Sequence, residues 1–315
     1  MIEIKAYTPA LSSIWNRAVE NSRNGTFLLS RPYMDYHAGR FTDLSLMIYV
    51  DGEPEALLPA AVAAGADTDT VVSHPGLTYG GLIMSPHLCA PAVVDIIEAI
   101  REYYAAASYR HLIYTPAPHI YQRQPSDDDL YGIWRHGARL HRVNLSSAFR
   151  LGDRPRPDTN TVRNLRKGLA NGIECRCGTL ADIAGFHALL SRCLADRHGA
   201  APVHSATEML TLMKAFPDNI RLYLASDGAD TVAGVLVYIT HTVTHTQYIA
   251  TSEKGRALRA LPVLFEHIIG ECRTVWFDFG TSNEDGGRIL NAGLMRQKRG
   301  EGGRPVAYPS YIIDL

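Results

Sequence analysis

The chain has 315 residues, 31 Lys and Arg against 32 Asp and Glu, and a formal net charge of −1, so no basic excess exists to neutralise phosphates and a general nucleic-acid binder is disfavoured. Its 46% hydrophobic and 20% charged residues are the composition of an ordinary globular protein, at a length that favours two domains. No apolar run approaches the roughly 20 residues of a membrane helix, MIEIKAY lacks a signal pattern, and five cysteines without a CxxC pair suit buried thiols of a reducing compartment, which together predict a cytoplasmic protein.

In chain order, the first half predicts a strand at Ile2–Ala6, a helix around Ile14–Glu20 and a second helical patch at Tyr33–Ala38. Strands follow at Leu44–Tyr49, Ala56–Ala63 and Thr70–Ser73, then a Gly-rich loop, His74–Gly81. Val93, Ile96, Ile97, Ile100 and Tyr104 form one apolar stripe at helical spacing. A strand at His111–Tyr114 and a helix near Leu130–Trp134 precede the Pro/Arg/Asp-rich stretch Gly152–Asn160, which reads as a junction. Domains are therefore expected at residues 1–150 and 158–315.

The second half opens on the basic segment Thr161–Ile173 and a strand ending at Cys177. One helix carries Ile183, Phe186, Leu190, Cys193 and Leu194, and another begins with the capping box Ser205 to Glu208. Strands Ile220–Ala225 and Val232–Ile239 are joined by the turn cluster SDGAD. The strand Val243–Ala250 then runs into the loop TSEKGRA, with a helix expected from about Ala257. A strand at Val275–Phe279, a helix around Ile289–Met295 and closing strands near Val306 and Tyr311–Leu315 complete the series. The first half repeats much of this order, which is the signature of a duplicated architecture.

The order β-α-α-β-β-β-α-β-α-β-β, with a Gly/Lys/Arg loop after the fourth strand, resembles the GNAT acyltransferase fold. Two such units in one chain, ending in FGTSNEDGGRILNAGLMRQKRG, resemble the tandem FemAB-related branch associated with bacterial surface-polysaccharide sugars. The resemblance implies an α/β fold of two tandem units, each a mixed central sheet flanked by helices. It implies acyl-CoA as co-substrate and N-acylation of an amino sugar, expected to be nucleotide-linked, as the reaction. A charged-tRNA-dependent aminoacyl transferase and a non-catalytic binding protein stand as alternatives. Ser252, Lys254, Gly255, Arg256 and Ala257 map onto the loop that cradles the CoA pyrophosphate, where Ser252 replaces a longer side chain. Unpaired N–H groups and the helix dipole at such a loop suit an anion. The uncharged His74–Gly81 loop predicts that the first unit binds no cofactor.

In this geometry the fourth and fifth strands splay, and side chains near their ends face the reaction. Gln247, Tyr248 and Ser282 are thus expected to contact substrate, with Tyr248 also readable as a half-buried core residue. Asn283 and Glu284 are catalytic candidates, or simple caps. His204 is a candidate base or substrate contact, since an imidazole titrates near neutral pH, and His198 is weighed against a helix-end cation. Asp278 is a reserve candidate. His241 and His245, four apart on strands, are weak as a metal pair, and no metal is expected. Tyr79 and Tyr121 are expected to line an acceptor cleft between the units. The expected partner is a small-molecule acceptor, with homo-oligomers possible and no membrane.

Overall fold

The chain divides into Met1–Asn144 with Ala307–Leu315, and Leu145–Val306. The computed structural model describes residues 1–315 apart from 64, 66 and 67, with the side chains of residues 37, 38, 197 and 198 also outside the description. The side chain of His198 therefore lies outside the described residues.

The first unit opens with β1 (Ile2–Ala6), α1 (Ser12–Asn21) and α2 (Arg31–Met34), followed by β2 (Leu46–Val50), β3 (Glu53–Leu58), β4 (Ala61–Val62), β5 (Thr70–Val72) and β6 (Ile83–Met84). Next come α3 (Ala90–Ala106), β7 (His111–Tyr114), α4 (Asp128–Arg135) and β8 (Arg139–Arg150). The expected single strand over residues 56–63 is broken after Leu58, where Pro59 cannot donate to a ladder. The α3 stripe is buried as its spacing predicts, with Val93, Ile96, Ile97, Ile100 and Tyr104 all in the core. Each such side chain is worth about 1.5–3 kcal/mol relative to exposure.

The second unit contains α5 (Thr159–Ala170), β9 (Glu174–Cys177), α6 (Ile183–His198), α7 (Ala206–Ala215), β10 (Ile220–Asp227), β11 (Asp230–Ile239) and β12 (Val243–Thr251). It continues with α8 (Glu253–Leu258), α9 (Ala260–Glu271), β13 (Trp276–Thr281), β14 (Asn283–Glu284), β15 (Ile289–Leu290), α10 (Ala292–Gly300) and the start of β16 (Arg304–Asp314). Strands β9, β10, β11 and β12 pair antiparallel, β12 pairs parallel with β13, and β13 pairs antiparallel with residues 146–150 of β8. One face packs Val235, Val237 and Phe277 against Val263, Leu264 and Ile268 of α9. The other faces α6, where a Cβ on Gly234 would fall 2.6 Å from Phe186.

The ends of the second unit differ from the sequence expectation. Its sheet is completed by β8, a strand that the sequence reading left out, while the expected closing strand at Tyr311–Leu315 belongs to the first unit. There residues 311–314 pair with β7, and Ile313 is wholly buried in that core. The expected helix over Ile289–Met295 is also displaced: Ile289–Leu290 is a short strand, and α10 starts after Asn291, whose side chain accepts from Leu294 N at 2.9 Å.

Candidate active site

A break in strand pairing creates the site. β12 and β13 run parallel through three levels, Val243 with Trp276, Thr244 with Phe277 and His245 with Asp278, and the pairing ends there. On its other edge, β12 carries a bulge at Gln247, because Leu236 faces Tyr248 while Val237 faces Thr246. A bulge bends its strand and re-aims side chains. Here it restores His245 and Tyr248 to one face, since their partners Tyr238 and Leu236 lie two residues apart on β11. That face is the α6 side. Beyond the last pair, each strand has a buried hydroxyl that finds no hydrogen-bond partner among the described residues: Thr246 Oγ1 on β12 and Ser282 Oγ just after β13. Unsatisfied buried polar atoms are uncommon, and two of them beside an open strand pair suit a polar ligand entering the gap.

Two imidazoles stand on this face. His245 Nδ1 lies 2.9 Å from Asp278 Oδ2, and Asp278 Oδ1 accepts from Ser146 Oγ at 2.5 Å and from Gly280 N at 3.0 Å. Asp278 is fully buried, whereas the His245 side chain keeps 12% exposure. His245 and Asp278 stand level as the third and last pair of the parallel ladder. The sequence carried no spacing signal for this pair: the expected strand starts, Val243 and Val275, put His245 third and Asp278 fourth, and the sequence reading weighs His245 only against His241. His204 Nδ1 meets Tyr248 Oη at 2.5 Å, and His187 Nε2 approaches His204 O at 3.2 Å. Burial pushes the Tyr248 phenol up and keeps it protonated. Below the gap, Lys298 donates to Gly280 O and Thr281 O, each at 2.8 Å, and burial lowers its pKa to about 8 against the pull of Asp278.

At the far end of β12 lies a cavity of about 560 Å³ between α5, the α8–α9 corner and α10. Arg256, Arg259 and Arg296 line it, together with Asn160, Asn164, Gly255 and Gly293. The chain turns into helix earlier than expected: Ser252 caps α8, accepting from Gly255 N at 3.0 Å, so Gly255-Arg256-Ala257 is helical rather than loop. Arg259 joins α8 to α9 in the left-handed region, at φ 62°. A non-glycine residue there costs on the order of 1–2 kcal/mol, and such strain tends to persist at functional sites.

The five loop residues separate by role. Arg256 lines the cavity, steadied by donation to Thr251 O at 3.1 Å. Ser252 is a cap that also donates to Val232 O. Lys254 corrects the sequence expectation, because its ammonium is held by Asp227 at 2.8 Å and Asp230 at 2.7 Å. Ala257 is exposed and does not line the cavity. Gly255 lines it, yet a Cβ there would sit 2.3 Å from Val232 O, so close packing alone already requires glycine.

A buried acid borders the same cavity. Burial raises the Glu301 carboxyl from 4.5 to about 7, with Glu266 and Asp158 adding to the effect and Arg154 opposing it. A raised acid costs nothing below its unfolded pKa. As pH climbs from there through the folded value, the unfolded state ionises first and stability falls. Unfolding free energy should therefore drop by an amount on the order of 2–3 kcal/mol between pH 5 and 8 through this group. Glu301→Gln should flatten that part of the profile in urea titrations at the two pH values.

The remaining candidates are placed as follows. Both ends of the Asn283 amide engage main chain, accepting from Leu145 N at 2.6 Å and donating to Gly287 O at 3.2 Å. Glu284 accepts from Asn291 Nδ2 at 2.6 Å. These two residues brace the β14–β15 turn rather than cap a helix. Tyr79 and Tyr121 are core residues of the first unit, 1% and 2% exposed, with ring centroids 4.7 Å apart. Tyr79 Oη bonds Thr26 Oγ1, and Tyr121 Oη accepts from Tyr308. They do not line an open face. The His74–Gly81 loop folds inward with them, Gly80 N donating to Thr115 O. Among the described residues no cluster of metal-binding side chains occurs, and no helix is long and apolar enough to cross a membrane.

The acetyltransferase (GNAT) domain family matches residues 158–285. No curated protein matches the chain in sequence. Among solved structures, FemX is similar with a TM-score of 0.69 and 11% identity, covering 99% of this chain and 97% of that one. L-PGS from Bacillus licheniformis gives 0.61 at 11% identity over 98% and 92%. A tandem GNAT protein from the clavulanic acid biosynthesis pathway gives 0.52 at 10% identity over 100% and 98%. At these identities the likeness is one of fold, a mixed α/β tandem GNAT architecture.

Proposed function

We propose that this chain, whose residues 158–285 match the GNAT acetyltransferase domain family, is an N-acyltransferase that moves an acyl group from coenzyme A to the amine of an amino sugar, nucleotide-linked, in surface-polysaccharide synthesis. The observation that carries the reading is the open β12–β13 pair with an arginine-lined cavity at the end of β12. A pantetheine arm laid between the separating strands would form main-chain hydrogen bonds that the strands no longer give each other. Its pyrophosphate would lie among Arg256, Arg259 and Arg296, where planar guanidinium forks suit phosphate oxygens. The thioester would then reach the α6 face, and the protonated Tyr248 hydroxyl, held by His204, could supply a proton to the departing thiolate. Direct attack by the amine requires no covalent enzyme intermediate.

Calorimetry with acetyl-CoA and a thiol-release assay across free and UDP-linked amino sugars test the reading. Saturable CoA binding in the micromolar range and transfer to a UDP-linked amine are the expected results. Absence of CoA binding would remove it.

A second reading, a FemAB-like aminoacyl transferase, is favoured by one feature. Arg163, Arg166 and Lys167 are exposed on α5, the helix that supplies Asn160 and Asn164 to the cavity. This basic helix could follow a nucleic-acid backbone instead of meeting the 3′-phosphate of CoA. Transfer from charged tRNA, with none from acyl-CoA, would select that alternative.

A further inference from the structure

We propose that His245 is the proton acceptor for the attacking amine and that Asp278, anchored by Ser146, positions it. The inference rests on the N-acyltransfer reading above and adds the residue that takes the proton, which the sequence had sought at His204. His204 meets Tyr248 through Nδ1 and is 6% exposed, whereas His245 stands level with the last parallel strand pair, at the mouth of the opening.

The hydrogen bonds settle the tautomer. Asp278 accepts from Ser146 and from Gly280 N through Oδ1, so its Oδ2 is the acceptor for His245 Nδ1–H. In the neutral ring Nε2 then carries the lone pair. Among the described residues Nε2 has no hydrogen-bond partner. Gly280 guards the ring edge: it has φ +78°, and a Cβ there would approach His245 Cε1 to 3.2 Å and Nε2 to 3.9 Å. A side chain larger than glycine would crowd the imidazole that the opening exposes.

The step balances without any further reactant. The amine lone pair forms the C–N bond while the carbonyl π pair moves onto oxygen. The ammonium proton passes to Nε2. The oxygen pair re-forms the carbonyl and expels the CoA thiolate, which ends protonated as the imidazolium returns to neutral, directly or through the Tyr248 hydroxyl. Amine and acyl-CoA thus give amide and CoA thiol.

The test uses the full chain, acetyl-CoA and UDP-glucosamine, with calorimetry for donor binding and thiol release for turnover. His245→Gln should lower kcat about 100-fold or more, the range for loss of a general base, while acetyl-CoA affinity and KM stay within about twofold. Asp278→Asn should lower kcat at least about tenfold and move His245 toward the Nε2–H tautomer, read from imidazole 15N shifts. A wild-type 15N spectrum showing Nδ1–H and bare Nε2 supports the assignment and needs no substitution. Wild-type turnover matched by His245→Gln, or an Nε2–H tautomer in the wild type, overturns the dyad alone. Failure of the wild type to bind acetyl-CoA or to turn over overturns the underlying reading with it.

Discussion

Reversing the charge of Arg256 and Arg259 together, to glutamate, should abolish acetyl-CoA binding by the second unit while leaving its melting temperature nearly unchanged. Both side chains line the cavity at the α8–α9 corner, and neither forms an ion pair among the described residues. A charge-assisted hydrogen bond is worth about 1.5–3 kcal/mol. Losing two and adding two repelling carboxylates should cost at least about 4 kcal/mol, close to a thousandfold in Kd. Lys254→Met is the informative control. Its ammonium is already committed to Asp227 and Asp230, so affinity should fall by no more than about threefold. Calorimetry showing equal losses for the lysine and the arginine pair would place the pyrophosphate elsewhere.

Lys254 also shows where sequence reading ended. Its attraction as a phosphate ligand came from lying beside Gly255 and Arg256, but the acids that hold it come from the β10–β11 turn, more than 20 residues earlier. In the sequence those acids are ordinary turn formers. The elements that local pattern determines were legible: the buried stripe of α3, the Ser205–Glu208 box of α7 and the run of β10 to β13 all follow from periodicity and capping. What depends on distant partners was not. β8 alternates poorly between Arg139 and Arg150, and β16 reads as a closing strand of its own half until pairing with β7 assigns it to the first unit. The aromatic character of Tyr79 and Tyr121 was legible too, but a ring that stacks on a sugar and a ring that packs on another ring leave the same trace in a sequence. Depth of burial separates them.

Gly255→Ala should destabilise the second unit by about 3 kcal/mol or more. The added carbon would lie 2.3 Å from Val232 O and 2.8 Å from Thr251 Oγ1. The first of these is a main-chain oxygen on β11, which itself accepts from Ser252 N at 2.9 Å, so it cannot yield without parting α8 from the sheet. Overpacking against a flexible side chain typically costs about 1–3 kcal/mol, and a fixed carbonyl puts this case at the top of that range or beyond. In a unit of this size the loss corresponds to roughly 6–12 °C in Tm. Gly80→Ala should have a comparable effect on the first unit, where the same 2.3 Å approach is to Ser73 O. Loss of CoA binding in a Gly255 variant would therefore report a displaced helix and not a missing phosphate contact. The arginine pair, whose side chains line the cavity and, among the described residues, touch the sheet only through the Arg256 hydrogen bond to Thr251 O, separates the two causes: calorimetry should lose the ligand while the thermal transition moves by far less than for Gly255→Ala. A Gly255→Ala protein that melts with the wild type would show that α8 can shift on the sheet, and would return Gly255 to consideration as a ligand contact.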